Sequence, residues 1–140
     1  MSRYVVDASV AAKWFFPEIH SDAASRLRNE GIELWAPDLL LVELANVLWK
    51  RVQREELSVQ DALRILDALS AAPLRLESSL PLLEDALQLA VAYARTVYDS
   101  LYLALAVSQD AMLVTADQKF RNALQATPLE AHLLWIEDIP

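Results

Sequence analysis

The chain has 140 residues, of which 55% are hydrophobic and 23% charged, a composition that excludes a disordered protein and predicts a single domain over residues 1–140. It contains no cysteine, which excludes disulfides, a thiolate nucleophile and a cysteine-based zinc site, and fits a cytoplasmic location. Its net charge of −8 argues against nucleic acid as a partner, unless several acids converge to hold divalent cations that present positive charge to phosphate.

Apolar periodicity and turn signals divide the chain into alternating strands and helices. In chain order the predicted elements are strand RYVVD, helix SVAAKWFF, a helix over residues 21–30, strand IELWA, helix PDLLLVELANVLWKRVQR, helix LSVQDALRILDALSAA, strand LRLES, helix SLPLLEDALQLAVAYAR, helix DSLYLALAVSQD, strand AMLVTAD, helix QKFRNALQA and strand HLLWIEDI. Short apolar strands between helices are typical of a parallel sheet that is buried on both faces. We therefore predict a three-layer α/β domain whose sites form at the carboxyl ends of the strands.

The sequence does not predict a membrane span. Asp7 and Lys13 interrupt the apolar N-terminal segment, unlike in a signal peptide, and the longest charge-free run, residues 100–109, is about half of what a spanning helix needs. We expect a soluble protein. Its high apolar fraction suggests that some surface is buried against a partner, often a second copy.

Two predicted strands end on an aspartate: Asp7 in YVVDAS and Asp117 in LVTAD. Both should lie at the carboxyl edge of the sheet, where crevices form. Either one alone is better interpreted as the N-cap of the next helix, because aspartate is a leading N-cap residue.

Glu43 lies inside the apolar part of a predicted helix, in LLLVELANVL, where a carboxylate is rarely buried unless it is paired. Asn46 follows at i+3 and shares its face, so it could orient a carboxylate. The alternative is a solvated stripe, which the surrounding leucines and valines leave very narrow. The pattern therefore favours a functional role for Glu43.

Asp99 begins the apolar run YDSLYLALA and is interpreted either as an N-cap or as a metal ligand. Together with Asp7, Glu43 and Asp117 it makes a set of acids that could converge at one edge of the sheet, where like charges repel unless cations intervene. Oxygen ligands suit Mg²⁺ or Mn²⁺, and such a site supports metal-assisted hydrolysis.

The segments VVDASV, PDLLLVELANVLWK, YDSLYLALA and LVTADQKF, in this order and spacing, resemble the PIN-domain ribonucleases, in particular the VapC-type toxins of toxin–antitoxin pairs. The resemblance covers nearly the whole chain. It implies a three-layer α/β/α Rossmann-like PIN domain with a central, mostly parallel sheet, a Mg²⁺ or Mn²⁺ site, and cleavage of RNA that leaves 5′-phosphate and 3′-hydroxyl ends. It also implies a homodimer and a cognate VapB-type antitoxin that wraps the toxin and inserts a residue near the acids.

The resemblance also assigns the site residues. The catalytic and metal-binding acids that it implies are Asp7, Glu43, Asp99 and Asp117. Ser9 and Thr115 match small hydroxyl residues beside two of these acids, and Asn46 fits the helical motif. These three would hydrogen-bond a carboxylate or a metal water, although for Ser9 and Thr115 a helix cap and an ordinary strand residue are equal alternatives.

Basic side chains around the acids could steer an RNA backbone, with ordinary solvated surface as the alternative for each. The candidates are Lys13, Lys50, Arg51, Arg95, Lys119 and Arg121. Three early aromatic residues, Trp14, Phe15 and Phe16, lie early enough to belong to an antitoxin groove, but core packing is the favoured interpretation for at least two of them.

Three other interpretations stay open. A PIN nuclease of RNA processing would be separated from a toxin only by an adjacent antitoxin gene. A receiver or phosphoryl-transfer domain would use Lys119 after a late strand, but it gives no role to Glu43 or Asp99. A binding module predicts that the four carboxylates lie apart in space.

Overall fold

The structure is a computed structural model that describes residues 2–140. Its strands are β1 (Ser2–Val5), β2 (Ile32–Pro37), β3 (Leu74–Glu77), β4 (Met112–Thr115) and β5 (Leu133–Trp135). They form one sheet in the order β3-β2-β1-β4-β5, and every described pairing is parallel. The predicted α/β architecture with a central, mostly parallel sheet is confirmed.

Helices connect these strands, as parallel pairing requires. In the described part of the chain they are α1 (Ala8–Ala12), α2 (Ser21–Ser25), α3 (Leu39–Gln53), α4 (Val59–Ser70), α5 (Leu83–Tyr93), α6 (Val97–Ser108) and α7 (Gln118–Leu124). Short 3₁₀ turns add Arg26–Arg28, Leu80–Leu82, Pro128–His132 and Ile136–Asp138. Within residues 2–140, no helix combines the length and the apolar character that crossing a bilayer requires.

Helix α6 packs on the sheet and contacts β1, β2 and β4. Its residues from Ser100 to Ala106 are all buried, which explains the nearly pure apolar run in its sequence. Val5 on β1 and Val114 on β4 have no exposed surface and complete the centre of the core. A helix that is apolar all round belongs in such a core and cannot lie on the surface.

The strand order reverses its direction between β1 and β4. From β1 the chain proceeds outward through β2 to β3 on one side, and from β4 to β5 on the other. Ligands of parallel α/β proteins bind at such a topological switch point, outside the carboxyl ends of the strands. The turns that follow β1 and β4 contain Asp7 and Asp117, so the fold places these two acids at the switch point.

Several predicted elements are shorter in the structure than in the sequence pattern. The SVAAKWFF segment is helical only to Ala12, after which the backbone N–H groups of Lys13, Trp14 and Phe15 donate to carbonyls three residues earlier, as in tight turns. The helix predicted over residues 21–30 is α-helical only to Ser25 and continues as the 3₁₀ turn Arg26–Arg28. Gly31, at a φ of +85°, then forms the turn into β2. The last strand ends at Trp135.

Candidate active site

An open cavity of about 400 Å³ lies at the switch point of the sheet. Its lining residues are Asp7, Ala8, Ser9, Lys13, Glu43, Asp99, Tyr102, Ala116 and Asp117. The four acids that the sequence singled out come from four separate segments: the turns after β1 and β4, and helices α3 and α6. The structure brings all of them to the lining of one cavity.

Asp7 is both the N-cap of α1 and a wall of the cavity. Its Oδ1 accepts hydrogen bonds from the Val10 backbone N–H at 2.9 Å and from the Ser9 hydroxyl at 2.7 Å. Burial raises the pKa of Asp7 above its ordinary value, and the nearby charge of Asp99 raises it further, although the hydrogen bonds oppose both effects. The expected contact between Ser9 and this carboxylate is present.

Glu43 is half-buried on α3 and accepts a hydrogen bond at its Oε1 from the Tyr102 hydroxyl, at 2.5 Å. Burial raises the pKa of Glu43, and the charges of Asp7 and Asp99 raise it further, while the Tyr102 hydrogen bond lowers it. Sequence reasoning missed Tyr102. The available signal was its position three residues after Asp99 on α6, which puts both side chains on one helix face.

Asp117 caps α7 by accepting hydrogen bonds at Oδ1 from the backbone N–H groups of Lys119 and Phe120, at 2.9 and 3.2 Å. The buried Thr115 hydroxyl accepts a hydrogen bond from the Asp117 backbone N–H at 3.0 Å. Thr115 therefore shapes the turn after β4 and does not contact the carboxylate in this arrangement.

Asp99 is not the N-cap of α6, so that interpretation of its position is wrong. Thr96 caps the helix, because its hydroxyl accepts a hydrogen bond from the Asp99 backbone N–H at 3.1 Å. Asp99 lies in the first turn with its carboxyl group directed to other partners. Its Oδ2 is 3.0 Å from Nη2 of Arg95, and the same nitrogen is 3.8 Å from Oδ2 of Asp117.

The basic residues expected to steer RNA are distributed unevenly. Lys13 lines the cavity, and its ammonium group pairs with Glu18 at 3.1 Å. Arg95 contacts the acids themselves. The remaining candidates do not line the cavity: Lys50, Arg51, Lys119 and Arg121. Asn46 is exposed on α3 and does not line it either, although the sequence placed it on the face of Glu43.

The early aromatic residues separate into two groups. Phe16 is buried in the core, as the alternative interpretation held. Trp14 and Phe15 are partly buried and line a second cavity of about 380 Å³ beside Arg28 and the C-terminal end of α4. Trp14 also donates a hydrogen bond to the Ala24 carbonyl at 2.9 Å.

The donor chemistry of the acidic cavity fits a hard divalent cation, because every candidate ligand is a carboxylate oxygen. Burial is the main cause of the raised pKa values of Asp7 and Glu43, and the neighbouring acidic charges raise them further, an effect that a cation would oppose. Within residues 2–140, however, no three acidic or histidine side chains lie close enough together to hold one ion. The cavity therefore suits a divalent cation in the type and charge of its ligands, but not in their spacing. The carboxyl groups must move toward one another before three of them can share one cation.

Residues 4–124 match the PIN domain family. The chain belongs to the PIN-domain family. This PIN domain is 36% identical over 126 residues to Ribonuclease VapC3 of Pyrobaculum aerophilum, an alignment that covers 89% of the chain and 96% of that protein. The crystal structure of PAE2754 from the same organism superposes with a TM-score of 0.70 at 25% identity, covering 97% of this chain and 85% of that one. A toxin–antitoxin complex from Klebsiella pneumoniae has a chain of the same fold, with a TM-score of 0.64 at 15% identity and coverage of 97% and 99%.

Proposed function

We propose that this PIN domain is a divalent-cation-dependent endoribonuclease that uses Mg²⁺ or Mn²⁺, with Asp7, Glu43, Asp99 and Asp117 as its catalytic acids. The observation that carries the proposal is the convergence of these carboxyl groups, from four separate segments, on one cavity at the switch point. The similarity to Ribonuclease VapC3 over most of the chain supports RNA as the substrate.

The chain's own residues have distinct roles in this proposal. Asp7, Glu43 and Asp99 hold the cation, and Asp117 assists at the exposed side. A bound divalent cation supplies an activated water nucleophile and neutralises charge on the phosphate and the leaving oxygen. Ser9 and Tyr102 orient the carboxylates of Asp7 and Glu43 by their hydrogen bonds.

Lys13 is the cavity-lining cation that we assign to the phosphate backbone of the substrate. It lines the cavity together with the acids, and its ammonium group pairs with Glu18 at 3.1 Å. An ammonium group is a compact point charge that suits attraction of phosphate without fixed geometry. The overall charge of −8 opposes RNA binding, so local positive groups and the cation must supply the attraction.

We further propose that the protein is the toxin of a VapBC-type pair and that a cognate antitoxin covers the second cavity beside Trp14 and Phe15. These side chains are partly exposed there, which suits an apolar contact. The common fold with a chain of a toxin–antitoxin complex supports this assignment. A cytoplasmic location, expected from the sequence, stays a prediction.

The test of the nuclease proposal compares Asp7→Asn with Asp61→Asn, a matched change at an exposed carboxylate of α4. Each purified protein is incubated with total cellular RNA and Mn²⁺, and the ends of the products are mapped. We expect Asp7→Asn to lose cleavage by on the order of a hundredfold or more, because a cation ligand is lost, while Asp61→Asn cleaves like the wild type. Full cleavage by Asp7→Asn would remove Asp7 from the mechanism.

A further inference from the structure

The guanidinium group of Arg95 contacts two of the acids that line the cavity. Nη2 of Arg95 is 3.0 Å from Asp99 Oδ2 and 3.8 Å from Asp117 Oδ2. Only 19% of the Arg95 side chain is exposed, so salt screens these contacts less than it screens a surface ion pair. One positive group thus contacts a carboxylate of α6 and a carboxylate of the turn after β4.

Two features keep the guanidinium group in this place. Its Cζ lies 4.6 Å from the centroid of the Phe120 ring, a favourable cation–π distance. Arg95 also follows Ala94, whose φ of 54° turns the chain out of α5 immediately before the arginine. Nε of Arg95 is buried and has no hydrogen-bond partner among the described residues, which is unfavourable. The arrangement is therefore held by the two acids and the ring, and it leaves the guanidinium group incompletely satisfied.

We propose that Arg95 is an internal competitor of the divalent cation: it neutralises Asp99 and Asp117 in the cation-free protein and must release Asp99 before that carboxylate can bind a cation. This inference rests on the proposed function, because it takes Asp99 to be a cation ligand. Arg95 then positions the carboxyl groups of Asp99 and Asp117 in the cation-free protein, and this contact lowers the affinity of the site for a divalent cation.

The other acids explain why the competition matters. Among the described ion pairs, neither Asp7 nor Glu43 has a cationic partner, since Asp7 is hydrogen-bonded by Val10 and Ser9, and Glu43 by Tyr102. A divalent cation gains these two carboxylates but must break the contact between Arg95 and Asp99 to gain the third. The Arg95–Asp99 contact and cation binding are linked equilibria. Cation binding therefore weakens the contact by the same factor by which the contact weakens cation binding.

The test measures Mn²⁺ affinity by calorimetric titration at fixed salt for the wild type and three variants that each remove one positive charge. Arg95→Gln removes the proposed competitor. Lys13→Gln removes a cation that lines the same cavity but pairs with Glu18, and so controls for local potential. Arg64→Gln breaks an exposed pair with Asp61 at 2.9 Å on α4 and controls for net charge.

We expect Arg95→Gln to bind Mn²⁺ on the order of tenfold more tightly than the wild type, within the usual range of coupling between linked binding events. Lys13→Gln should gain much less, and Arg64→Gln should match the wild type. Without divalent cations, Arg95→Gln should unfold at a lower temperature than the wild type, and saturating Mn²⁺ should raise its unfolding temperature more. A folded Arg95→Gln protein that binds Mn²⁺ no more tightly than Lys13→Gln would overturn the proposal.

Arg95→Lys keeps the test decisive if Arg95→Gln does not fold. It retains the charge but replaces the planar fork by one flexible ammonium group, so its affinity for Mn²⁺ should lie between those of the wild type and Arg95→Gln. A wild type that neither binds Mn²⁺ nor cleaves RNA would refute the proposed function and this inference with it. A wild type that does both, with no gain of affinity in either Arg95 variant, would refute the competition alone.

Discussion

Asp7 combines two roles that impose opposite demands on one side chain. As the N-cap of α1 it stabilises the fold by accepting the Val10 N–H, and as a buried acid beside Asp99 it destabilises the fold when ionised. Asparagine has the same shape and an oxygen that accepts the same hydrogen bonds, but it carries no charge. Replacing Asp7 by asparagine therefore separates the cap from the charge.

We predict that Asp7→Asn raises the stability of the cation-free protein at neutral pH. The folded-state pKa of Asp7 is raised above the unfolded value of 3.8, so the stability contributed by its neutral form is fully present below that pH and is lost as pH rises through the folded pKa. The variant does not suffer this loss. Thermal unfolding in EDTA should show no difference well below pH 3.8 and a gain on the order of a few degrees at neutral pH.

The control for this prediction is Asp61→Asn, at an exposed carboxylate where no comparable gain is expected. If Asp7→Asn were less stable than the wild type at neutral pH, the charge of Asp7 would not be the dominant effect at this position. Saturation of the wild type with Mn²⁺ should remove its disadvantage, because the cation offsets the buried charge.

At the residue level the sequence pattern singled out the four acids that line the cavity, but it did not indicate how they are paired. Asp7 and Asp117 follow strands, and Glu43 interrupts an apolar helix, so local pattern was sufficient to find them. Tyr102 and Arg95 act across elements: the Tyr102 hydroxyl reaches from α6 to α3, and the Arg95 guanidinium reaches the turn after β4. Such contacts between elements depend on how the helices pack against the sheet, and the spacing of Arg95 and Tyr102 from Asp99 indicates only a shared side of the chain around α6.

Helix α6 supplies two cavity residues, Asp99 and Tyr102, and its first turn is fixed by Thr96. We predict that Thr96→Ala lowers the free energy of unfolding by about 1 kcal/mol, because the Asp99 backbone N–H loses its acceptor. The measurement is urea denaturation of Thr96→Ala and Thr96→Ser. The serine variant keeps the hydroxyl oxygen and should remain close to the wild type.

Thr96→Ala should also weaken Mn²⁺ binding, because Asp99 lies in the first turn of α6, which the Thr96 hydroxyl caps. A loss of stability equal in the alanine and serine variants would indicate that the Thr96 methyl group, and not its hydroxyl, is the important part.

The element boundaries that sequence reasoning misplaced lie where tertiary packing decides the local structure. Ser58 is the N-cap of α4, and its hydroxyl accepts a hydrogen bond from the Asp61 backbone N–H at 3.1 Å. The corresponding motif at α6 begins at Thr96, outside the apolar run that attracted attention to Asp99. The SVAAKWFF segment leaves helical geometry early as Phe16 enters the core.

The surface of the whole molecule carries an apolar stripe on α5 and the turn before it. Leu80, Leu83, Leu87 and Val91 are spaced three or four residues apart, so they share one face, and all are exposed. We propose that this face forms the homodimer interface expected from the sequence, since a stripe of this kind is rarely left in contact with water.

We predict that Leu87→Glu shifts the protein toward the monomer, because a charge in the centre of an apolar interface is costly to bury. The measurement is sedimentation equilibrium over a range of concentrations. Leu63→Glu on α4 is a matched control, with 57% of Leu63 exposed against 56% of Leu87. A wild type that is monomeric at all concentrations, or a Leu87→Glu variant that still dimerises, would refute the interface.

The pairing of β1 with β4 has a consequence for the chain as it is synthesised. Tyr4 pairs with Met112 and Val5 with Leu113, so the sheet is completed at its centre only when a late segment returns to the first strand. At roughly 5–20 residues per second, the ribosome delivers β4 several seconds after β1. A nascent or prematurely terminated chain that ends before α6 contains Asp7 and Glu43 but lacks Asp99 and Asp117. The proposed nuclease site therefore cannot assemble on incomplete chains, whatever cations surround the ribosome.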